Sequence, residues 1–220
     1  MKFSYVLATF FALGAGSGAL AQEVTERAGE IKAWREQCSH PDPDLRLAYL
    51  EAALKTNDTS IERICVRLAL QSDNADIRNL GLRAAIAQFD QLTFDVDKPE
   101  ALVEKIADAE GDEDQLRTIS GWNVTKTYNY IQNGMVFEIK KADVTNGQSV
   151  WYPLGSMSSA SDKYLGKAVV VGDRIRWTGR TWFFSDTTCT LDVQMTAGGA
   201  LDGAMQCGDL WPFPVRAPLL

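Results

Sequence analysis

Four cysteines and one histidine carry the sharpest intrinsic chemistry in this 220-residue chain, and their spacing limits what they can do. Cys38 and Cys65 lie 27 positions apart, and Cys189 and Cys207 lie 18 apart. Zinc sites draw on ligand pairs about two to four residues apart. These wider separations suit disulfides instead, Cys38–Cys65 in one half and Cys189–Cys207 in the other. Bridged cysteines offer no thiolate, and a single histidine leaves little room for a Ser-His-Asp arrangement. That residue, His40, stands in His40-Pro41-Asp42-Pro43-Asp44. One imidazole with two exposed carboxylates would hold a metal weakly, and the same residues make a stiffened, capped helix start. The acidic run Glu110-Gly111-Asp112-Glu113-Asp114 lacks the ligand spacing of a calcium loop. Serine-hydrolase and phosphate-binding glycine motifs are missing after residue 21. Acidic residues such as Glu138, Asp143 and Asp192 show no grouping that marks a glycosidase pair. The expectation is a chain with no catalytic residues, no cofactor and no metal.

The other chemical handle is aromatic. Strict alternation from Gly121 onward puts Trp122, Tyr128, Tyr130, Phe137, Tyr152, Trp177, Trp182 and Phe184 on one face of a sheet, with Trp151 and Phe183 on the other. Such an inner face either fills a small barrel or lines a cavity for an apolar guest, and bulky side chains favour filling. Trp151, Tyr152, Trp177, Trp182 and Phe183 are the candidate binding surface.

Location follows from the first residues. Lys2, the apolar run Val6–Leu13 and the small residues Ala19 and Ala21 read as an export signal over 1–21, cleaved before Gln22. The run is too short to span about 30 Å of hydrocarbon, and no later stretch is longer. A formal net charge of −7 argues against nucleic acid and anionic membrane surfaces. A periplasmic or secreted protein is expected.

Two periodicities divide the remainder. Residues 22–110 read as a helical domain. Ile61, Ile64, Cys65, Leu68 and Ala69 form one stripe, Asp44 and Asp73 or Asn74 start further helices, and Asp97-Lys98-Pro99-Glu100 opens a fifth. Residues 111–120 read as an acidic linker. Residues 121–220 read as an antiparallel meander of about eight strands closing into a small barrel. Its hairpins are placed at Asn133-Gly134, Asn146-Gly147, Gly172-Asp173, Gly179-Arg180 and Ala197-Gly198-Gly199. The first pairs Tyr130 with Phe137, the second Ile139 with Leu154, the third Val170 with Ile175 and the fourth Trp177 with Trp182. The last makes Cys189 and Cys207 direct neighbours. Gly155–Asp162, small and polar, reads as a flexible connection. The fold class is therefore α+β.

Within the helical part, Asp44-Leu45-Arg46 recurs as Asp76-Ile77-Arg78, and Ala52-Ala53 recurs as Ala84-Ala85, at a period of about 32 residues. Residues 41–90 thus resemble HEAT-type helical repeats, a resemblance that implies a surface for another macromolecule. The functional expectation is non-catalytic binding of another protein or envelope component. The alternatives are an inhibitor or protective factor acting on envelope hydrolases, and a carrier of a small apolar ligand.

Overall fold

The computed structural model describes residues 17–154, 161–183 and 186–219, with side chains from Gln22 onward. Helices α1 (Ser17–Cys38), α2 (Pro43–Ala53), α3 (Thr59–Leu70) and α4 (Ala75–Gln88) lead into strand β1 (Gln91–Val96). Three short helices follow, α5 (Glu100–Asp108), α6 (Glu113–Gly121) and α7 (Asn123–Ile131). The chain then runs through β2 (Met135–Asp143), β3 (Gln148–Leu154), a 3₁₀ turn at Asp162–Tyr164, β4 (Gly166–Val171), β5 (Arg174–Thr181), β6 (Thr187–Met195), β7 (Ala200–Cys207) and β8 (Phe213–Pro218). The eight strands form a closed antiparallel barrel in chain order, sealed by β1 against β8. The architecture is α+β.

The first four helices are two stacked hairpins: α1 packs on α2 and α3, and α2 packs on α4. Their second helices start alike. Asp42 Oδ1 accepts from the backbone N–H of Asp44 and Leu45, and Asn74 Oδ1 accepts from Asp76 and Ile77. Each satisfies two of the donors a helix leaves open at its start. The repeated Asp-apolar-Arg is thus the first turn of an equivalent helix. Arg46 of the first hairpin reaches Asp73 in the loop of the second at 3.1 Å. Disulfide Cys38–Cys65 ties the end of α1 to the middle of α3. Gly81 of α4 lies against Ala69 of α3 so closely that an added Cβ would sit 2.7 Å from Ala69 Cβ, which is why the tightest helix pair carries glycine there.

Helix α4 carries the stack onto one end of the barrel. Asn79 Nδ2 donates to the Gly172 carbonyl at 2.8 Å, and an Arg83 guanidinium nitrogen donates to the Thr145 carbonyl at 2.9 Å. Helices α5–α7 bridge β1 and β2 at the opposite end. One contiguous core runs from Leu50, Leu82 and Ile86 in the helices to Phe94, Phe137, Trp177 and Leu191 in the barrel.

Several expectations change. The stretch between Phe89 and Asp97, read as a connection, is β1: Leu92, Phe94 and Val96 point inward at period two. The acidic segment 111–120 is largely α6, because Asp112 caps it and Leu116 and Ile119 fall on one side. Residues 123–131 are helical rather than extended. Val124, Thr127 and Ile131 are the buried positions, a spacing that only a helix unites. The alternation through Trp122, Val124, Tyr128 and Tyr130 has Lys126 in its middle, which breaks period two. Asn133-Gly134 therefore joins a helix to a strand, with positive φ at Gly134 alone, and Phe137 pairs with Leu92 and Pro153 rather than Tyr130.

The Asn146-Gly147 turn exists but spans four residues, since Asp143 pairs with Gln148 and caps the turn through its carboxylate. A bulge between Ile139 and Lys141 shifts the pairing further, so Ile139 faces Trp151 rather than Leu154. Gly172-Asp173 and Ala197–Gly199 make the expected pairings, Val170 with Ile175 and Cys189 with Cys207. Gly179-Arg180 makes no hairpin; β5 runs straight through it to Thr181.

Candidate functional site

The barrel interior is packed. Phe137 touches Phe94, Trp151 and Trp177, with ring centroids 6.0, 5.7 and 4.8 Å apart. Trp151, Trp177, Phe94, Phe137 and Phe213 have no exposed surface. Two of the five residues of the expected binding surface are thus core. Trp151 was placed on the outer face by a hairpin register that the bulge and the longer turn overturn. Its indole N–H donates to Ser149 Oγ inside the barrel at 2.8 Å. Trp177 lies across Gly166 and Gly179: a Cβ on Gly166 would sit 2.3 Å from its indole, and one on Gly179 2.4 Å. Glycine is in β5 to admit the indole, not to turn the chain. Disulfide Cys189–Cys207 joins buried cross-strand neighbours, with Thr181 Oγ1 3.0 Å from the Cys189 sulfur.

The other three residues lie where α7 meets the barrel rim. Trp182 is half-buried, its indole edge-on to Tyr130 of α7 and to Phe183, both at 4.7 Å between ring centroids. Its N–H donates to the Pro153 carbonyl at 3.4 Å. Phe183 is buried rather than outward-facing. Tyr152 packs against Tyr164 at 6.5 Å, with Lys140 Nζ 6.0 Å from its ring centroid. Phe184, expected on the inner face, and residues 155–160 of the Gly155–Asp162 connection lie outside the described residues.

A charged cluster adjoins these rings. Asp186 Oδ2 accepts from Lys163 Nζ at 3.2 Å and from Arg180 at 3.3 Å. Its Oδ1 is buried and accepts from nothing. Its backbone sits at φ 52°, in the left-handed region that costs a side chain of this kind. The Tyr164 hydroxyl and the Asp186 carboxylate hold the Lys163 ammonium above the usual lysine range. The sequence gives no warning of this cluster, because its members come from two connections and the end of a strand.

A second concavity lies at the other end of the molecule. A cleft of about 580 Å³ opens between α2, α4 and the β2–β3 turn. Leu47, Leu54, Leu80, Ala87 and Val144 give it an apolar lining, and Glu51, Lys55, Asp76 and Arg83 stand around it. The Arg83 and Asn79 hydrogen bonds to the barrel fix its walls. No single helical stripe announces this cleft, since its far wall comes from Val144 and Thr145, sixty positions on in the chain.

The candidate metal residues serve the backbone. His40 Nδ1 accepts from the Asp42 N–H at 3.1 Å, and Asp42 and Asp112 cap α2 and α6. Among the described residues, no group of three or more histidine, cysteine or acidic side chains is placed to hold a metal ion. No helix among them is long and apolar enough to cross a membrane. The chain matches no known protein family, and no curated protein is significantly similar to it.

Proposed function

We propose that this chain is a non-catalytic interaction protein of the periplasm or the extracellular space, exported by residues 1–21. It engages a protein partner through the cleft between the stacked hairpins and the barrel. The cleft itself carries the reading. It is apolar at its base, ringed by charges of both signs, and built from three segments that hydrogen bonds hold in place, so little ordering accompanies binding. A protein segment presenting an apolar ridge fits such a groove, as an amphipathic helix does. The two disulfides agree with an oxidising compartment. The packed barrel interior weighs against a carrier of apolar ligands.

The test places a photo-crosslinking residue at Ala87 in the cleft or at Thr190 on the outer face of β6, in the protein expressed in its native envelope. One protein captured from Ala87 and not from Thr190, and lost on Leu80→Asp with an unchanged melting temperature, is the expected result. Equal capture from both positions, or capture indifferent to Leu80→Asp, overturns the reading.

A further inference from the structure

We propose that the rim of the barrel beside α7 binds a neutral saccharide, with Tyr130 and Trp182 stacking on the sugar ring and the Lys163–Asp186–Arg180 cluster meeting its hydroxyls. This site is separate from the cleft and goes beyond the reading above. Three observations carry it.

The first is a presented aromatic pair. Tyr130 is 47 % exposed, the only aromatic among the described residues to stand so far out, and Trp182 beside it is partly exposed. Both are held, Trp182 by Tyr130, Phe183 and the Pro153 carbonyl. Aromatic faces are electron-rich, and the C–H bonds of a pyranose face are electron-poor, so a fixed ring pair is a platform for a sugar. Rigid tyrosine and tryptophan side chains also lose little freedom on binding.

The second is strain without a folding purpose. Asp186 occupies a backbone conformation that glycine would hold at no cost. Its carboxylate keeps one oxygen without a donor. Strain and an unmet acceptor in one residue mark a position kept for a ligand rather than for stability. A sugar hydroxyl reaching that carboxylate supplies the missing donor.

The third is charge balance. Lys163 and Arg180 share Asp186, and Lys140 is paired with Glu138 at 2.7 Å. The cluster therefore offers donors and an acceptor side by side with little net field. Vicinal hydroxyls, each both donor and acceptor, match that pattern. A phosphate or a sulfated polymer requires cations that are free of acidic partners.

The test titrates the full exported chain with three neutral tetrasaccharides, β-1,4-linked glucose, β-1,4-linked N-acetylglucosamine and α-1,4-linked glucose, and with heparin as an anionic probe. Tryptophan fluorescence and calorimetry provide the readouts. Saturable binding of at least one neutral tetrasaccharide is expected, weakened about tenfold or more by Tyr130→Ala and by Asp186→Gly. Asp186→Gly is the sharper variant, because releasing the left-handed strain leaves the melting temperature equal or higher while binding falls. Three results overturn the proposal: no saturable binding of any neutral probe at millimolar concentration, binding unchanged in both variants, or binding of heparin alone with a steep salt dependence.

Discussion

Substituting Gly179 by alanine separates two accounts of β5. If Gly179 turned the chain, its replacement would act through backbone conformation and would not depend on Trp177. In the barrel, the new Cβ would lie 2.4 Å from Trp177 Cζ2, 3.0 Å from Cη2 and 2.8 Å from the Gly166 Cα. The indole is fully buried and packed on Phe137, so it cannot swing out, and the Gly166 contact is backbone. Overpacking of a closed core costs about 1–3 kcal/mol, and three such contacts place Gly179→Ala near the upper end, about 3 kcal/mol. Trp177→Leu removes the six-membered ring and costs about 2 kcal/mol or more as a large-to-small change. In that background the alanine methyl enters vacated space, so Gly179→Ala there should cost no more than about 0.5 kcal/mol. The double-mutant cycle then yields a coupling of about 2 kcal/mol or more, where unlinked sites add to within about 0.5. Urea denaturation followed by circular dichroism measures all four proteins, and a loss of 3 kcal/mol lowers the midpoint by about 1–2 M. Additive effects would refute the glycine platform beneath Trp177 and the packed end of the barrel with it.

Replacing Cys189 and Cys207 together by alanine should cost about 2–5 kcal/mol in urea denaturation, and an unchanged midpoint would show that the bridge constrains nothing the fold uses. Gly147 stands at φ 69°, and a Cβ there would meet Arg83 Nε at 2.8 Å and the Val170 carbonyl at 2.9 Å. Gly147→Ala should therefore cost on the order of 1–3 kcal/mol and speed amide exchange in α4, whereas parent-like exchange would mean that α4 does not depend on that contact. For Asp192, burial works to raise the carboxyl pKa, but Arg176 and Arg174 outweigh it and hold the group below the ordinary aspartate range. A depressed carboxyl contributes stability that is complete above its unfolded value, near pH 4, and is lost as pH falls through the lower folded value. Asp192→Asn should accordingly flatten the acid side of the stability profile, and a profile identical to the parent's would exclude the two arginines as its stabilisers.

Legibility in the sequence tracked how local the determining physics is. The disulfide Cys189–Cys207 was readable because a short loop fixes its own register, and a one-residue slip would put the sulfurs on opposite faces. The hairpin-initiating caps at Asp42 and Asn74 were readable as a repeated motif because capping involves only a few consecutive residues. Trp151 was not readable. Its facing depends on the Ile139–Lys141 bulge and on a four-residue turn, and either one alters which face every later residue of the strand occupies. Gly179 was misread for a related reason. Glycine before arginine is a turn signal in isolation, and only the distant Trp177–Gly166 geometry makes it a vacancy for a ring. Helix α7 shows the ambiguity of short amphipathic runs, since Val124, Tyr128 and Tyr130 satisfy period two until the polar Lys126 is counted against it.

The same contrast separates the two candidate surfaces and explains where each had to be found. A groove between repeat helices is implied wherever helical hairpins stack, so the α2–α4 wall of the cleft follows from the recurrence of Asp-apolar-Arg. Its other wall does not, because Val144 and Thr145 arrive through the docking of a barrel turn against Arg83. Rim residues share no period at all. Tyr130 belongs to a helix inserted between β1 and β2, Lys163 to a 3₁₀ turn, and Trp182 and Asp186 to the connection after β5. Strand closure into a barrel is what brings those ends to one edge. A packed interior supplies the rigidity to hold them there, because the core that excludes a ligand also fixes the strand ends that carry the exposed rings. Filling the barrel and presenting a binding rim are therefore two consequences of one arrangement. Loosening the core at Trp177 should weaken binding at the rim without touching a single contacting residue.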